Sequence, residues 1–156
     1  MKIKIICFNK VDKEFKDVIS YYSDKISKLC NFEIIEINEV ATNNQTKNIV
    51  ENMKLLSNKL NVLIENRFQP IVLDVNSKIV DSIEFKNLIE NNKDTGTGNL
   101  AFIVGPSDGY SDEFKQNNYT KISFGKVTMP HLLFRAVLFE QIYRSFKIMN
   151  NDKYHK

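Results

Sequence analysis

Residues 105–109 read Gly-Pro-Ser-Asp-Gly, a G-x-S-x-G pattern between a strand-like run and a helix signal. In a hydrolase elbow Ser107 would be the nucleophile, Asp112 or Glu140 the orienting acid, and His131 or His155 the base. An elbow needs its helix directly behind the serine, whereas the capping signal here is later, at Ser111. The same five residues also make a plain turn, shaped by Gly and Pro and closed by local Ser and Asp hydrogen bonds. A second set of chemically capable residues gathers at the end of the chain. Arg135, Glu140, Arg144 and Lys147 share one helical segment, and the tail adds Tyr154 and His155. Glu140 and Arg144 stand at i and i+4, the spacing of a helix ion pair. His131, at the start of that helix, can cap, pack or act as a ligand or base. Two short glycine signals fail on context. Gly96-Thr-Gly98 precedes a strand and lacks the third glycine of a dinucleotide loop, and Asp94-Thr95-Gly96 has no all-β surroundings.

The elements that must position these residues follow from periodicity. Pro130 marks a helix start, because a first-turn N–H has no intrahelical partner to lose. The helix behind it, running to Met149, is apolar around most of its circumference: Leu132, Leu133, Phe134, Val137, Leu138, Phe139, Ile142, Phe146 and Ile148. Such a helix is buried on more than one side, and a second copy of the chain is the most economical cover for the second side. The C-terminal region therefore reads as a dimer interface bordering a site. Upstream, strand patterns at residues 2–8, 32–37, 71–74, 100–104 and 119–124 alternate with helix patterns at 12–29, 49–64, 81–91 and a short one after Ser111. Repeated alternation with uninterrupted apolar strands predicts an α/β fold, a mainly parallel sheet with helices on both faces. Ligands sit at the carboxyl ends of such strands. Three loops qualify: after Leu73-Asp74, at 105–109, and at 124–129.

The 156 residues fit one domain, 1–156, with no linker or repeat. Apolar content of 42% with 26% charge supports a folded globule over a disordered chain. No run reaches transmembrane length, and the short apolar run behind Lys2 and Lys4, which ends at Asn9-Lys10, is too short for a secretory segment, so the expected address is cytoplasmic. Two distant cysteines, Cys7 and Cys30, match no metal or redox spacing and read as reduced, packed thiols; no metal is expected. A net charge of +3 allows a few focused phosphate contacts and does not suggest a general nucleic-acid binder.

Thr128-Met-Pro-His131, Arg135, Glu140, Tyr143-Arg144 and the terminal Tyr154-His155-Lys156, together with the start, the Leu73-Asp74 strand and the Val104-Gly105 turn, resemble one family along essentially the full length. It is the large-subunit methyltransferase H family, bacterial 23S ribosomal RNA pseudouridine N3-methyltransferases of the SPOUT superfamily. Pro106 departs from the family's usual second glycine and removes a backbone donor. The resemblance implies a C-terminal trefoil knot, a homodimer, and S-adenosylmethionine held by Leu73, Gly105 and the run Phe124, Gly125, Lys126, Val127, Thr128 and Met129. It implies a pseudouridine in helix 69 of 23S rRNA on the assembled ribosome as target. On that basis Arg144 stabilises the developing anion or clamps phosphate, His155 is the base or positioning group from the partner's tail, Glu140 orients Arg144, and Tyr154 belongs to the same cluster. The alternatives are a serine hydrolase using Ser107 and a non-catalytic RNA- or ribosome-binding protein of the same fold.

Overall fold

The computed structural model describes residues 1–152 and 154. Five parallel strands form one sheet in the order β2-β1-β4-β3-β5. They are β1 (Lys2–Phe8), β2 (Asn31–Ile37), β3 (Gln69–Ile79), β4 (Asn99–Val104) and β5 (Thr120–Ser123). The helices are α1 (Lys16–Ser27), α2 (Gln45–Glu65), α3 (Ser82–Thr95), α4 (Asp112–Gln116) and α5 (His131–Met149). The fold class is the one the sequence predicts.

The two-residue period of the strands divides the core. Ile3, Ile5 and Cys7 of β1, with Ile71 and Leu73 of β3 and Leu100 and Phe102 of β4, pack under α1, α3 and α5. Ile6 and Phe8, with Val72, Ala101 and Ile103, face α2 and α4 on the other side. Strands buried on both faces explain why residues 5–8 and 100–104 read as unbroken apolar runs. The chain leaves β3 toward β4 on one side, then leaves β4 for β5 on the other side of β3. Connections departing in opposite senses open a crevice at the carboxyl ends.

Several boundaries differ from the sequence reading. β3 runs on to Ile79, because after an irregularity between Leu73 and Lys78 it pairs again with β5, Lys78 with Ile122 and Ile79 with Ser123. That polar extension has no apolar alternation to announce it. α3 extends to Thr95 rather than 91, and its start is a capping box: Asp81 accepts from Ile83 and Glu84 N–H while Glu84 reaches back to the Asp81 N–H. α2 begins at Gln45, ahead of the helix pattern read at 49–64, because the Asn44 side chain caps the Lys47 N–H.

α5 corrects one argument. Its apolar circumference is covered largely within the chain, by the sheet below and by α1 and α3 alongside. Leu133 remains 43% exposed and Val137 half-buried. Apolarity all round therefore does not by itself require a second copy.

Arg135 is a second correction. Grouped from sequence with the site cations, it is fully buried. Its guanidinium pairs with Glu36 at 2.9 Å and donates to the Phe8 carbonyl at 3.1 Å and the Asn9 carbonyl at 2.8 Å. Its Nε is buried with no partner among the described residues. The charge is structural, riveting α5 to the carboxyl end of β1. A buried cation is tolerated only when paired and hydrogen-bonded. Replacing Arg135 by Ala removes three bonds and the packing of the stem, and urea unfolding is expected to show a loss of about 3 kcal/mol; a loss under ~1 kcal/mol would contradict this role.

Candidate functional site

The carboxyl-end crevice is a cleft of about 500 Å³, within the range of small-molecule sites. Its walls are the irregular middle of β3 (Leu73 to Asn76), the turn from Val104 to Tyr110, and the loop from Ser123 through His131, with Phe134 behind. The three loops picked out from sheet geometry thus meet at one place. Of the eight residues that the resemblance assigns to a cofactor, seven line it: Leu73, Gly105, Phe124, Gly125, Val127, Thr128 and Met129. Lys126 does not; it is exposed on the same loop. His131 also lines the cleft.

Local chemistry shapes each wall. Tyr110 folds back under the turn, its buried hydroxyl 3.2 Å from both the Leu73 and Ile103 carbonyls, so one phenol ties the ends of β3 and β4 together. Burial raises its ionisation well above the usual phenol range, so it stays a donor. A Cβ on Gly105 would lie 2.7 Å from the Tyr110 ring, so only glycine permits this closure. On the opposite wall, buried Ser123 accepts the Gly125 N–H at 3.1 Å and donates to the Gly125 carbonyl at 2.6 Å. Gly125 has φ 135, a conformation that favours glycine. Phe124 packs between Phe85 and Phe134, anchoring the loop.

The donor set suits a polar, carboxylate-bearing cofactor. Among the described residues, the backbone N–H groups of Lys126, Val127, Thr128 and Met129 have no hydrogen-bond partner. Pro130 occupies the N-cap of α5 without a side-chain cap, leaving the positive end of that helix open beside His131. The opposite wall offers fewer amides, since Pro106 has none and the Gly109 N–H is spent on the Pro106 carbonyl at 3.0 Å. Apolar Leu73, Phe124, Val127 and Phe134 complete a lining of mixed character.

Glu140, Arg144 and Tyr154 are brought together as the sequence suggested. Arg144 Nε and NH2 reach Glu140 Oε1 at 2.9 and 2.7 Å, and Tyr154 Oη donates to the same oxygen at 3.2 Å. The guanidinium carbon lies 4.9 Å from the centre of the Tyr154 ring. Hydrogen bonding to Glu140 raises the Arg144 ionisation. Burial, then hydrogen bonding to Tyr22 and the Glu140 charge, raises that of Tyr154, which stays protonated. His155, the expected base, lies outside the described residues.

These residues are not part of the cleft. Arg144 is thirteen residues beyond His131 on α5, about 20 Å at the helical rise of 1.5 Å per residue. One chain therefore presents a ligand cleft at one end of the helix and a charged cluster toward the other. Ser107 does line the cleft, but its Oγ donates to Glu39 at 3.0 Å and the following helix starts only at Asp112, so the geometry is a braced turn rather than a nucleophile elbow. Cys7 and Cys30 are free, and burial pushes their thiols to about 12 and about 11 respectively, away from reactivity. Among the described residues no three His, Cys, Asp or Glu side chains could share a metal, and no helix is long and apolar enough to cross a membrane.

A family model described as "Predicted SPOUT methyltransferase" matches residues 1–155. The chain belongs to that family. Relatives named "Ribosomal RNA large subunit methyltransferase H" match over the whole of both chains: 48% identical in Mesoplasma florum, 45% in Mycoplasma capricolum and 38% in Clostridium botulinum strain Okra.

Sequence reading missed Tyr110, Ser123 at the end of β5, and the polar residues around the turn, because a single side chain in a loop or at a strand end leaves no periodic trace. Asn48 and Asn52 had one: they share the buried stripe of α2 with Met53, Leu56 and Leu60. Tyr110→Phe keeps the ring and removes the tie between β3 and β4. Thermal unfolding is expected to fall by the equivalent of about 1 kcal/mol, with weaker ligand binding in the cleft; unchanged stability would show that the hydroxyl is not a strut.

Proposed function

We propose that the chain is a single-domain, cytoplasmic, S-adenosylmethionine-dependent methyltransferase. Its target is N3 of a pseudouridine in helix 69 of 23S rRNA, on the assembled ribosome, and it acts as a homodimer with a C-terminal trefoil knot. The observation that carries this reading is that the loops the family uses for its cofactor converge on one cleft in a chain matched end to end by rRNA methyltransferases. Within that cleft, Leu73, Gly105, Phe124, Gly125, Val127, Thr128 and Met129 hold the cofactor, the free amides of the 126–129 loop receive its polar groups, and Lys126 stands at the rim.

The cofactor supplies an activated methyl group. The protein's share is to orient, exclude water and manage a proton. N3 of pseudouridine is an imide nitrogen between two carbonyls and becomes a good nucleophile only as its proton leaves. Arg144, held by Glu140 and stacked on Tyr154, is placed to stabilise the anion that develops. His155, on the same tail as Tyr154, takes the proton or positions the base. Because Arg144 lies ten to thirteen residues along α5 from the cleft-lining Phe134 and His131, about 15–20 Å of helical rise, we infer that a second copy brings its Arg144 cluster to the cofactor. That separation, rather than the apolarity of α5, supports the dimer.

Isothermal titration of the native protein with S-adenosylmethionine is expected to show saturable binding near one site per subunit. Arg144→Ala is expected to keep that affinity and lower methyl transfer to ribosomes by roughly 10²–10³-fold, the usual effect of deleting one anion-stabilising donor. Full activity in Arg144→Ala, or no binding by a folded native protein, would overturn the reading.

A further inference from the structure

A polar cluster outside the assigned site braces the turn of residues 105–109. Glu39, in the loop after β2, accepts the Ser107 N–H on Oε1 at 2.6 Å. Its Oε2 accepts the Ser107 hydroxyl at 3.0 Å and Asn9 Nδ2 at 2.8 Å. The Glu39 N–H in turn donates to Asn9 Oδ1 at 3.1 Å, so a single asparagine clamps both the backbone and the carboxylate of Glu39. Asn9 has φ 62, a left-handed conformation that asparagine tolerates better than most residues, and its carbonyl is one of the acceptors of buried Arg135. From α2, buried Asn48 donates to Asp108 Oδ2 at 3.0 Å, and fully buried Asn52 holds both backbone groups of Val40.

Residues 105–110 belong to no strand or helix, so their shape must come from such bonds. Pro106 deprives the turn of one amide, and the Ser107 amide is spent on Glu39. The turn therefore enters the cleft as a fixed wall whose position is set from outside, by a carboxylate that itself does not line the cleft.

We propose that Glu39 is a positioning residue of the cofactor site: it fixes the Gly105–Gly109 turn through the Ser107 amide and hydroxyl, and with Asn9 couples that wall to Arg135 at the base of α5. The inference rests on the S-adenosylmethionine reading and adds to it a residue that touches no ligand. Hydrogen bonds to a charged acceptor are the strong class, so the effect on ligand affinity should be measurable.

The test is titration of S-adenosylmethionine into native protein, Glu39→Ala, Glu39→Gln, Ser107→Ala and the Glu39→Ala/Ser107→Ala double variant, with circular dichroism melts of each. The expected result is about tenfold weaker binding in Glu39→Ala and roughly threefold weaker in Glu39→Gln, which keeps one acceptor without the charge. The double variant should bind no more weakly than Glu39→Ala alone, since the two residues act through one contact. Native-like affinity in folded Glu39→Ala overturns the proposal, as does a lowered melting temperature with affinity unchanged. Should Glu39→Ala not fold, native affinity in Glu39→Gln is the overturning result. If the native protein itself fails to bind, the cofactor reading falls and this inference with it; if only the variants bind like the native protein, this inference falls alone.

Discussion

A guanidinium with no solvent around it holds the last helix of this protein in place. Arg135 satisfies its charge with Glu36 near the carboxyl end of β2 and with the Phe8 and Asn9 carbonyls at the carboxyl end of β1. Breaking such an arrangement leaves charge or carbonyls unpaired inside the fold, so α5 has one seating on the sheet. Everything functional hangs from that seating. The 124–130 loop is suspended between β5 and the α5 N-terminus, and Asn9 carries the same anchor outward to Glu39 and the turn after β4. The two walls of the cleft are thus referred to one strand end, through one cation and one asparagine.

The same seating separates the chemistry. With its first turn at the cleft and its third and fourth turns carrying Glu140 and Arg144, α5 is too long and too rigid for one copy to bring both ends to one ligand. The Glu140–Arg144 pair alone would be an ordinary helix ion pair worth ~0.3–0.5 kcal/mol. Here one carboxylate oxygen takes the guanidinium fork and the Tyr154 hydroxyl together, with the tyrosine ring against the cation. Such a cluster holds a guanidinium in one orientation, its charge balanced by Glu140, and on the proposed reading it faces the cofactor of the other subunit.

What the sequence made legible follows from periodicity. β1 and β4 were readable because burial on both faces makes continuous apolar runs, α3 because Asp81 and Glu84 spell a capping box, and the cleft because parallel sheets bind at their carboxyl ends. The far half of β3 was not readable, since it has no apolar alternation and regains pairing with β5 only at Lys78 and Ile79, after an irregularity. Arg135 was misread for a related reason: charge in a sequence suggests surface or site, and only the packing reveals that its partners are backbone carbonyls under the helix. Glu39, Asn9 and Tyr110 act between segments 7 to 68 residues apart, and single polar side chains at such separations leave no local signal.

The central claim is that the cleft of one copy works with the Arg144 cluster of the other. Subunit mixing tests it most directly. Gly125→Val strains a position at φ 135 and disables the cleft, while Arg144→Ala disables the cluster. Each variant alone should transfer methyl groups at about a hundredth of the native rate or less. After exchange of equimolar subunits, half of the dimers are mixed and each holds one intact composite site, so activity should return to about a quarter of the native value. A mixture that exchanges subunits yet stays inactive, with Arg144→Ala still binding S-adenosylmethionine, would contradict the account.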